Sequence, residues 1–434
     1  MMGSQRLMSL CLATLALCLV AGCGGGISAS SLPVRRVASR DAAIRGLRFH
    51  HLPVVRLVSA GALQKLEQKH QQRLIATLPP AKRAQLARSD KDAQAGAEAA
   101  YLIGLLDPGE HPTASPSGPA ALEGLYDETT HQIFLVKDSV KSKTKAESVL
   151  SHELDHALDE QHFGLGTLIG DAASDAPVAE LAVREGVATL TELIYGRRYL
   201  HRPSAANEIA HFRRPPGPNT KLAREEASGL AFVYGAGTRF VYSLYNRAHG
   251  WALVNRALEH PPTTAAEILH PELYLSGVRA RTPAGTAGPY LGKPWHRAGV
   301  GDVGEVDFAG LLGHAATPTQ LAAAAPGWTG GRFELWEKGQ GLYGCPPPCR
   351  AAATLLITAQ WRTPAQRAKV TSQLLGYVKR DLKVRSGAGQ VWAIQGGGGV
   401  AYAGSRNTLT LVYAPDPALA QRIARGALTQ ATRR

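Results

Sequence analysis

Beyond its first 22 residues the chain has no apolar run of the roughly 18 residues that a membrane-spanning helix needs, so no later membrane span is expected. Cysteine is scarce: five in 434 residues, three of them (Cys11, Cys18, Cys23) near the start. That excludes a disulfide-rich scaffold and a cysteine-built metal site, and leaves only Cys345 and Cys349 to pair. Methionine is scarcer still, confined to Met1, Met2 and Met8. Acidic residues are outnumbered, 34 against 48 Lys and Arg, giving a formal net charge of +14. The basic residues are scattered and no nucleic-acid-binding motif accompanies them, so the excess charge points to an anionic membrane or cell wall rather than to DNA or RNA. No internal repeat marks two similar α/β lobes, which argues against a solute-binding protein.

What is present begins with a short head carrying one cation, Arg6, followed by the apolar run 7–20; together they read as a signal peptide over residues 1–22. Val20-Ala21-Gly22-Cys23 resembles the lipobox of bacterial lipoproteins, in which the Cys becomes the lipidated first residue. Cys23 is therefore the expected lipidation site, and the expected location is the bacterial cell envelope, outside the cytoplasm, held to a membrane by N-terminal lipid. Residues 23–45 open with Gly and Ser and continue with little pattern, as a tether would.

A chain of this length exceeds one ordinary core, and 44% hydrophobic with 19% charged residues is a globular composition. Two domains are expected, over 46–280 and 326–434, joined by Gly/Ala/Pro-rich linking loops over 281–325. Within the first, 47–58 has strand character, 60–78 and 92–106 helical spacing, and 124–136 reads as a hairpin turning near Asp127 to Thr130. Helices follow at 145–163, with Val149, Leu150, Leu154 and Leu158 as its apolar stripe, at 176–196, and over 224–258. The last hundred residues alternate strand-like and helical stretches, a small α+β domain. Cys345 and Cys349 there flank three prolines; an extended polyproline path would hold their Cα atoms roughly 12 Å apart, beyond the 7 Å or so a disulfide tolerates. The loop must bend, a cis proline being one means, for the expected disulfide to close.

Chemistry concentrates at His152-Glu153-Leu154-Asp155-His156, inside the helical stretch 145–163. Residues four apart share a helix face, so both imidazoles can reach one metal ion, with Glu153 beside them. Zinc held by two neutral imidazoles and one further side chain keeps a position for water, and the flanking carboxylate can take that water's proton. The third ligand is open. His162 lies where the longer HExxHxxGxxH pattern would place it, but Asp159 stands at the turning Gly and no methionine is available for the turn beneath the metal, so His162 reads as a helix-end residue. Glu185 fits better: it lies in the next helix, where Gly186 and Ala188 would let that helix approach the metal helix. Glu180 and Glu192 are alternatives. Tyr234, Tyr242, Tyr245 and His270 are candidates to stabilise an oxyanion, Tyr234 foremost. The strand 132–136 is either an edge that pairs with an extended peptide or internal.

The segments His152 to Phe163 and Glu185-Gly186-Val187-Ala188 resemble a family of bacterial envelope zinc metallopeptidases of the neutral type, with a block like HELxHALxxQHF followed by a Glu-Gly-Asp-Ala block. Further similarity lies in 124–127, 234–237, 268–272 and 327–332, so the resemblance covers most of the chain from about residue 45. It implies a zincin fold of the gluzincin kind, with His152, His156 and Glu185 as zinc ligands and a peptide or protein substrate. Val187 replaces the family's usual Asp, and Thr189 stands where many gluzincins carry a carboxylate that orients a zinc-bound His. The expectation is an α+β protein, a zincin-like metallopeptidase domain with a smaller C-terminal α+β domain, in which Zn2+ and Glu153 hydrolyse peptides. The alternative is a catalytically weak or inactive zincin-fold lipoprotein that binds cell-wall material or a protein partner.

Overall fold

A computed structural model describes residues 32–110, 123–165, 174–211, 220–312, 318–339 and 345–433. The expected signal peptide over 1–22, the lipidation site Cys23 and the first part of the tether lie outside them. The chain is mixed α+β, and among the described residues no helix is long and apolar enough to cross a membrane.

The second part of the expected tether is not one. Residues Val34–Arg45 form helix α1, closed by Gly46 in the left-handed conformation (φ 69°), and bury Val37, Ala38, Asp41, Ile44 and Arg45. The charged pair finds partners on a later helix, α4 (Lys143–Phe163): Arg45 Nη1 lies 2.7 Å from both Asp155 and Asp159, all three side chains sealed from solvent, and Ser151 donates to Asp41 at 2.8 Å. The Arg45 guanidinium also stacks 4.4 Å from the Trp251 ring. A buried charge is tolerated only when paired in this way, so α1 is fixed to the back of the helix that carries His152 and His156.

After α1 come strand β1 (Val54–Val58), helices α2 (Ala60–Thr77) and α3 (Pro80–Leu102), and the hairpin β2 (Gly124–Asp127) and β3 (Gln132–Val136). Helix α3 starts well before the helical stretch read over 92–106, because Pro80 at the first helical position opens a helix rather than ending one. The three strands form one sheet in the order β1-β3-β2, with β1 parallel and β2 antiparallel to β3. The strand at 132–136 is thus internal, which explains its run of buried Ile133, Phe134, Leu135 and Val136; among the described residues, β2 is the edge on the far side.

Helix α4 begins at Ser142, whose hydroxyl accepts from the Lys145 amide, and stops at left-handed Gly164. Its apolar stripe Val149, Leu150, Leu154 and Leu158 is fully buried, the first three against Val37 of α1 and Ile133 and Leu135 of β3. Helix α5 (Ala176–Tyr199) packs on α4 on one side and on α8 (Gly237–Ala248) on the other. Here one expectation is corrected: Gly186 faces α8, not α4. A Cβ at Gly186 would stand 2.6 Å from the Gly237 backbone, and one at Gly237 would collide with the Ala182 carbonyl, so two glycines let these backbones touch. Between them run α6 (Ala205–Ala210), α7 (Lys221–Leu230) and a π-helical turn over Ala231–Ala236; α9 (Ala252–Glu259), α10 (Ala265–Leu269) and α11 (Pro271–Ser276) follow.

The expected linking loops over 281–325 contain strand β4 (Trp295–Asp302) and helices α12 (Glu305–Leu311) and α13 (Pro318–Ala324). Their glycines serve close contact rather than looseness: Gly299 of β4 leaves no room for a Cβ against Ala95 of α3. The strand joins β5 (Trp328–Lys338), β6 (Ala353–Trp361), β7 (Val384–Ala388), β8 (Val391–Ile394), β9 (Gly399–Ser405) and β10 (Thr408–Ala414) in an antiparallel sheet of order β4-β5-β6-β10-β9-β8-β7. Alternate residues of β10 serve opposite faces: Val412 and Ala414 meet α15 (Pro417–Thr432), while Leu411 and Tyr413 join the cluster containing Leu374 of α14 (Pro364–Asp381). That second cluster continues through Leu102, Val187, Phe232 and Phe240 to Trp328 and Trp361, so the regions expected as separate domains share one apolar core. Cys345 and Cys349 are disulfide-bonded with Cα atoms 5.7 Å apart, in a loop bent through a cis peptide between Pro347 and Pro348.

Candidate metal centre

Helices α4 and α5 bring three groups to one point. His152 and His156, one turn apart on α4, hold their rings 4.9 Å apart and nearly perpendicular (74°). Glu185 of α5 reaches between them, Oε2 lying 3.2 Å from His152 Nε2 and Oε1 3.6 Å from His156 Nε2. Ligand atoms from all three lie within 4.8 Å of one another, and theirs is the one such group found among the described residues. Glu185 is fully buried and His156, the most accessible of the three, is 13% exposed at its side chain.

Electrostatics favour a cation here. Burial alone would raise the Glu185 carboxyl, but the charge of His156 and the hydrogen bond with His152 outweigh it and hold the group down at about 2. Burial likewise opposes protonation of the imidazoles, yet hydrogen bonds donated to Glu185 and Glu192 raise His152 well above its ordinary range, and the Glu185 charge raises His156. The site thus draws positive charge into a buried position, as protons on the rings or as a metal ion in their place. His156 Nε2 and Glu185 Oε1 are buried without a hydrogen-bond partner, which is the state of atoms available as ligands, and two imidazoles with one carboxylate suit zinc.

Glu153 is wholly buried beside the cluster, on the turn between the two histidines. It lies under strand β2: a Cβ at Gly124 would stand 2.6 Å from Glu153 Oε1. A glycine at this place lets strand backbone approach the carboxylate. Tyr234, in the π-helical turn, is buried close to the same carboxylates; burial first, then the charges of Glu185 and Glu153, push its phenol far above the ordinary range, so it stays a hydrogen-bond donor. A π-helical turn in a long helical region is often found at a functional site.

The other candidates stand elsewhere. His162 is exposed and donates from Nε2 to the Arg48 carbonyl at 2.8 Å. Glu180 pairs with Arg184. Tyr245 packs edge-on against Trp251, His270 pairs with Glu305 at 3.0 Å, and Tyr242 is half-buried against the main core.

Glu192, an alternative ligand in the sequence, takes a different place. Two turns after Glu185 on the same face of α5, its Oε2 lies 3.4 Å from His152 Nδ1, the ring nitrogen turned away from Glu185. Its Oε1 accepts from Ser148 at 2.5 Å and from Arg202 at 3.5 Å, and Arg202 is itself held by Glu208 at 2.7 Å. Glu192 lies one helical turn beyond Thr189. Such a partner fixes the ring and its tautomer and typically carries about 10–100-fold in metal affinity or activity. Glu192→Ala is accordingly expected to weaken zinc binding by about 10–100-fold, and Glu192→Gln by less. Competition with a chromophoric chelator measures this, and parent-like affinity in Glu192→Ala would remove the orienting role. The signal in the sequence was the seven-residue spacing that puts Glu192 on the same helix face as Glu185.

Compared with protein-family models, with curated proteins and with solved structures, the chain finds no match.

Proposed function

We propose that the chain is a zinc-dependent peptide hydrolase with a zincin-like site of the gluzincin kind, working at the bacterial cell envelope. The observation that carries the reading is the convergence of His152, His156 and Glu185 from two helices, with the carboxylate of Glu153 buried beside them. Zinc bound by those three side chains would supply a Lewis acid that makes water nucleophilic near neutral pH and polarises the scissile carbonyl. The chain's own residues do the rest. Glu153 accepts the proton of the attacking water and returns it to the leaving amine. Glu192 holds the His152 ring in register. Tyr234, kept protonated, donates to the oxygen that gains charge as the carbonyl is attacked. Strand β2, the edge over Glu153, offers main-chain groups to an extended peptide.

Lipid on Cys23 would hold this site outside the cytoplasm and near membrane-bound or cell-wall substrates, with the surplus positive charge facing anionic surfaces. The rival reading, a catalytically weak or inactive shell that only binds, drew mild support from the absence of a carboxylate at Val187 and Thr189; the approach of Glu192 to His152 Nδ1 at 3.4 Å supports the hydrolase reading instead. The test is hydrolysis of an unfolded protein such as casein by the purified chain. Activity is expected to disappear on treatment with a strong chelator and to return with zinc; cleavage that continues in metal-free protein would sink the proposal.

A further inference from the structure

Away from the candidate metal centre, a cavity of about 330 Å³ opens to solvent between α10, the segment 278–281 and the ends of β5 and β6. Three arginines line it, Arg279, Arg281 and Arg362, all exposed. No ion pair among the described residues engages any of them. The one acid in the lining, Glu267, is buried and already accepts from the amides of Thr263 and Thr264, so it caps α10 rather than neutralising the mouth. Leu273 and Val278 supply accessible apolar wall, while Trp328 and Trp361 lie buried behind it.

The arginines are set by backbone rather than left on loose chain. The Arg281 amide donates to the Thr329 carbonyl at 2.9 Å, and Gly330 of β5 leaves no room for a Cβ against the Arg281 carbonyl, so the segment is strapped onto the strand. The Arg362 amide donates to the Gly327 carbonyl at 2.7 Å. Both cations are thereby tied to the same turn that carries Trp328. A cavity at the small end of the range for ligand sites, with guanidinium groups and aliphatic side chains in its lining, has the makings of an oxyanion site with an apolar seat.

We infer that this cavity binds a small organic anion, its phosphate or carboxylate group held by Arg281 and Arg362 and its ring or alkyl part seated against Leu273 and Val278. Guanidinium matches both oxyanions bidentately, so the two sources share one chemistry and are separated by experiment. The site is independent of the proposed hydrolysis, since none of its lining belongs to the metal cluster.

The probes are phenyl phosphate, benzoate and benzyl alcohol, titrated by calorimetry into the purified full-length chain after chelator treatment. Binding of phenyl phosphate or benzoate, with benzyl alcohol silent, is expected; whichever binds more tightly identifies the oxyanion. Arg281→Ala and Arg362→Ala should each weaken the complex about tenfold. Both side chains are exposed, and circular dichroism checks that the variants fold. Equal binding of benzyl alcohol, unchanged affinity in the double variant, or no binding of either anion would each overturn the assignment. None of these outcomes depends on zinc or peptide cleavage, so failure here and failure of the proposed hydrolysis are read separately.

Discussion

Glu153→Gln is expected to lower peptide hydrolysis by about 10²–10⁴-fold while leaving the zinc content of the protein unchanged. The substitution keeps the shape of a side chain that is fully buried against the backbone of β2 at Gly124, so packing around it is preserved. What it removes is the ability to accept a proton from water. The carboxylate is not among the three groups that converge on the metal position, so zinc affinity has no reason to fall. Turnover and zinc per chain, measured on the same preparation, separate the two effects. A variant that cleaves at the parent rate would exclude Glu153 as the base; one that loses its zinc would place Glu153 among the ligands instead.

Glu185→Ala should abolish stoichiometric zinc binding, reducing it from about one ion per chain to near none after dialysis, whereas His162→Ala should keep the ion. Among the described residues, Glu185 is the one carboxylate paired with both imidazoles, at 3.2 and 3.6 Å. Without it two histidines remain, below the three protein ligands that a catalytic zinc site uses. Alanine is compatible with the α5 helix, so secondary structure is expected to persist, and circular dichroism checks it. Elemental analysis reads the outcome directly. Zinc retained in Glu185→Ala would move the third ligand elsewhere, and zinc lost equally in His162→Ala would undo the assignment of His162 to the helix end.

The meeting of His152 and His156 was legible because a helix fixes its own geometry. The spacing of His152 and His156, the apolar stripe of α4 and the hairpin 124–136 are local patterns, and the structure carries each at the expected residues. The choice of Glu185 over Glu180 and Glu192 was less legible. All three lie on α5, and only its packing against α4 shows that one faces both rings, one backs His152 and one turns to Arg184.

Two stretches were misread for physical reasons. Residues 34–45, with Arg35, Arg36, Arg40, Asp41 and Arg45, look solvated, because nothing nearby neutralises them; their partners Ser151, Asp155 and Asp159 are more than a hundred residues away. Residues 281–325 look like loops because they are rich in Gly and Ala, but at Gly299 the small residue answers to close packing, which composition does not distinguish from flexibility.

The sequence by itself determined the two histidines and the carboxylate between them on one helical turn, the α+β class, and the pair Cys345 and Cys349 as the expected disulfide. Tertiary structure alone decided which glutamate meets both rings, that Glu192 supports His152, that β3 is internal while β2 lies over Glu153, and that one core runs through both halves. The difference is one of range. Helical periodicity acts over a few residues and is written in their spacing, whereas the pairing of buried charges and the meeting of backbones at Gly186 and Gly237 join segments far apart in the chain and exist only once it has folded.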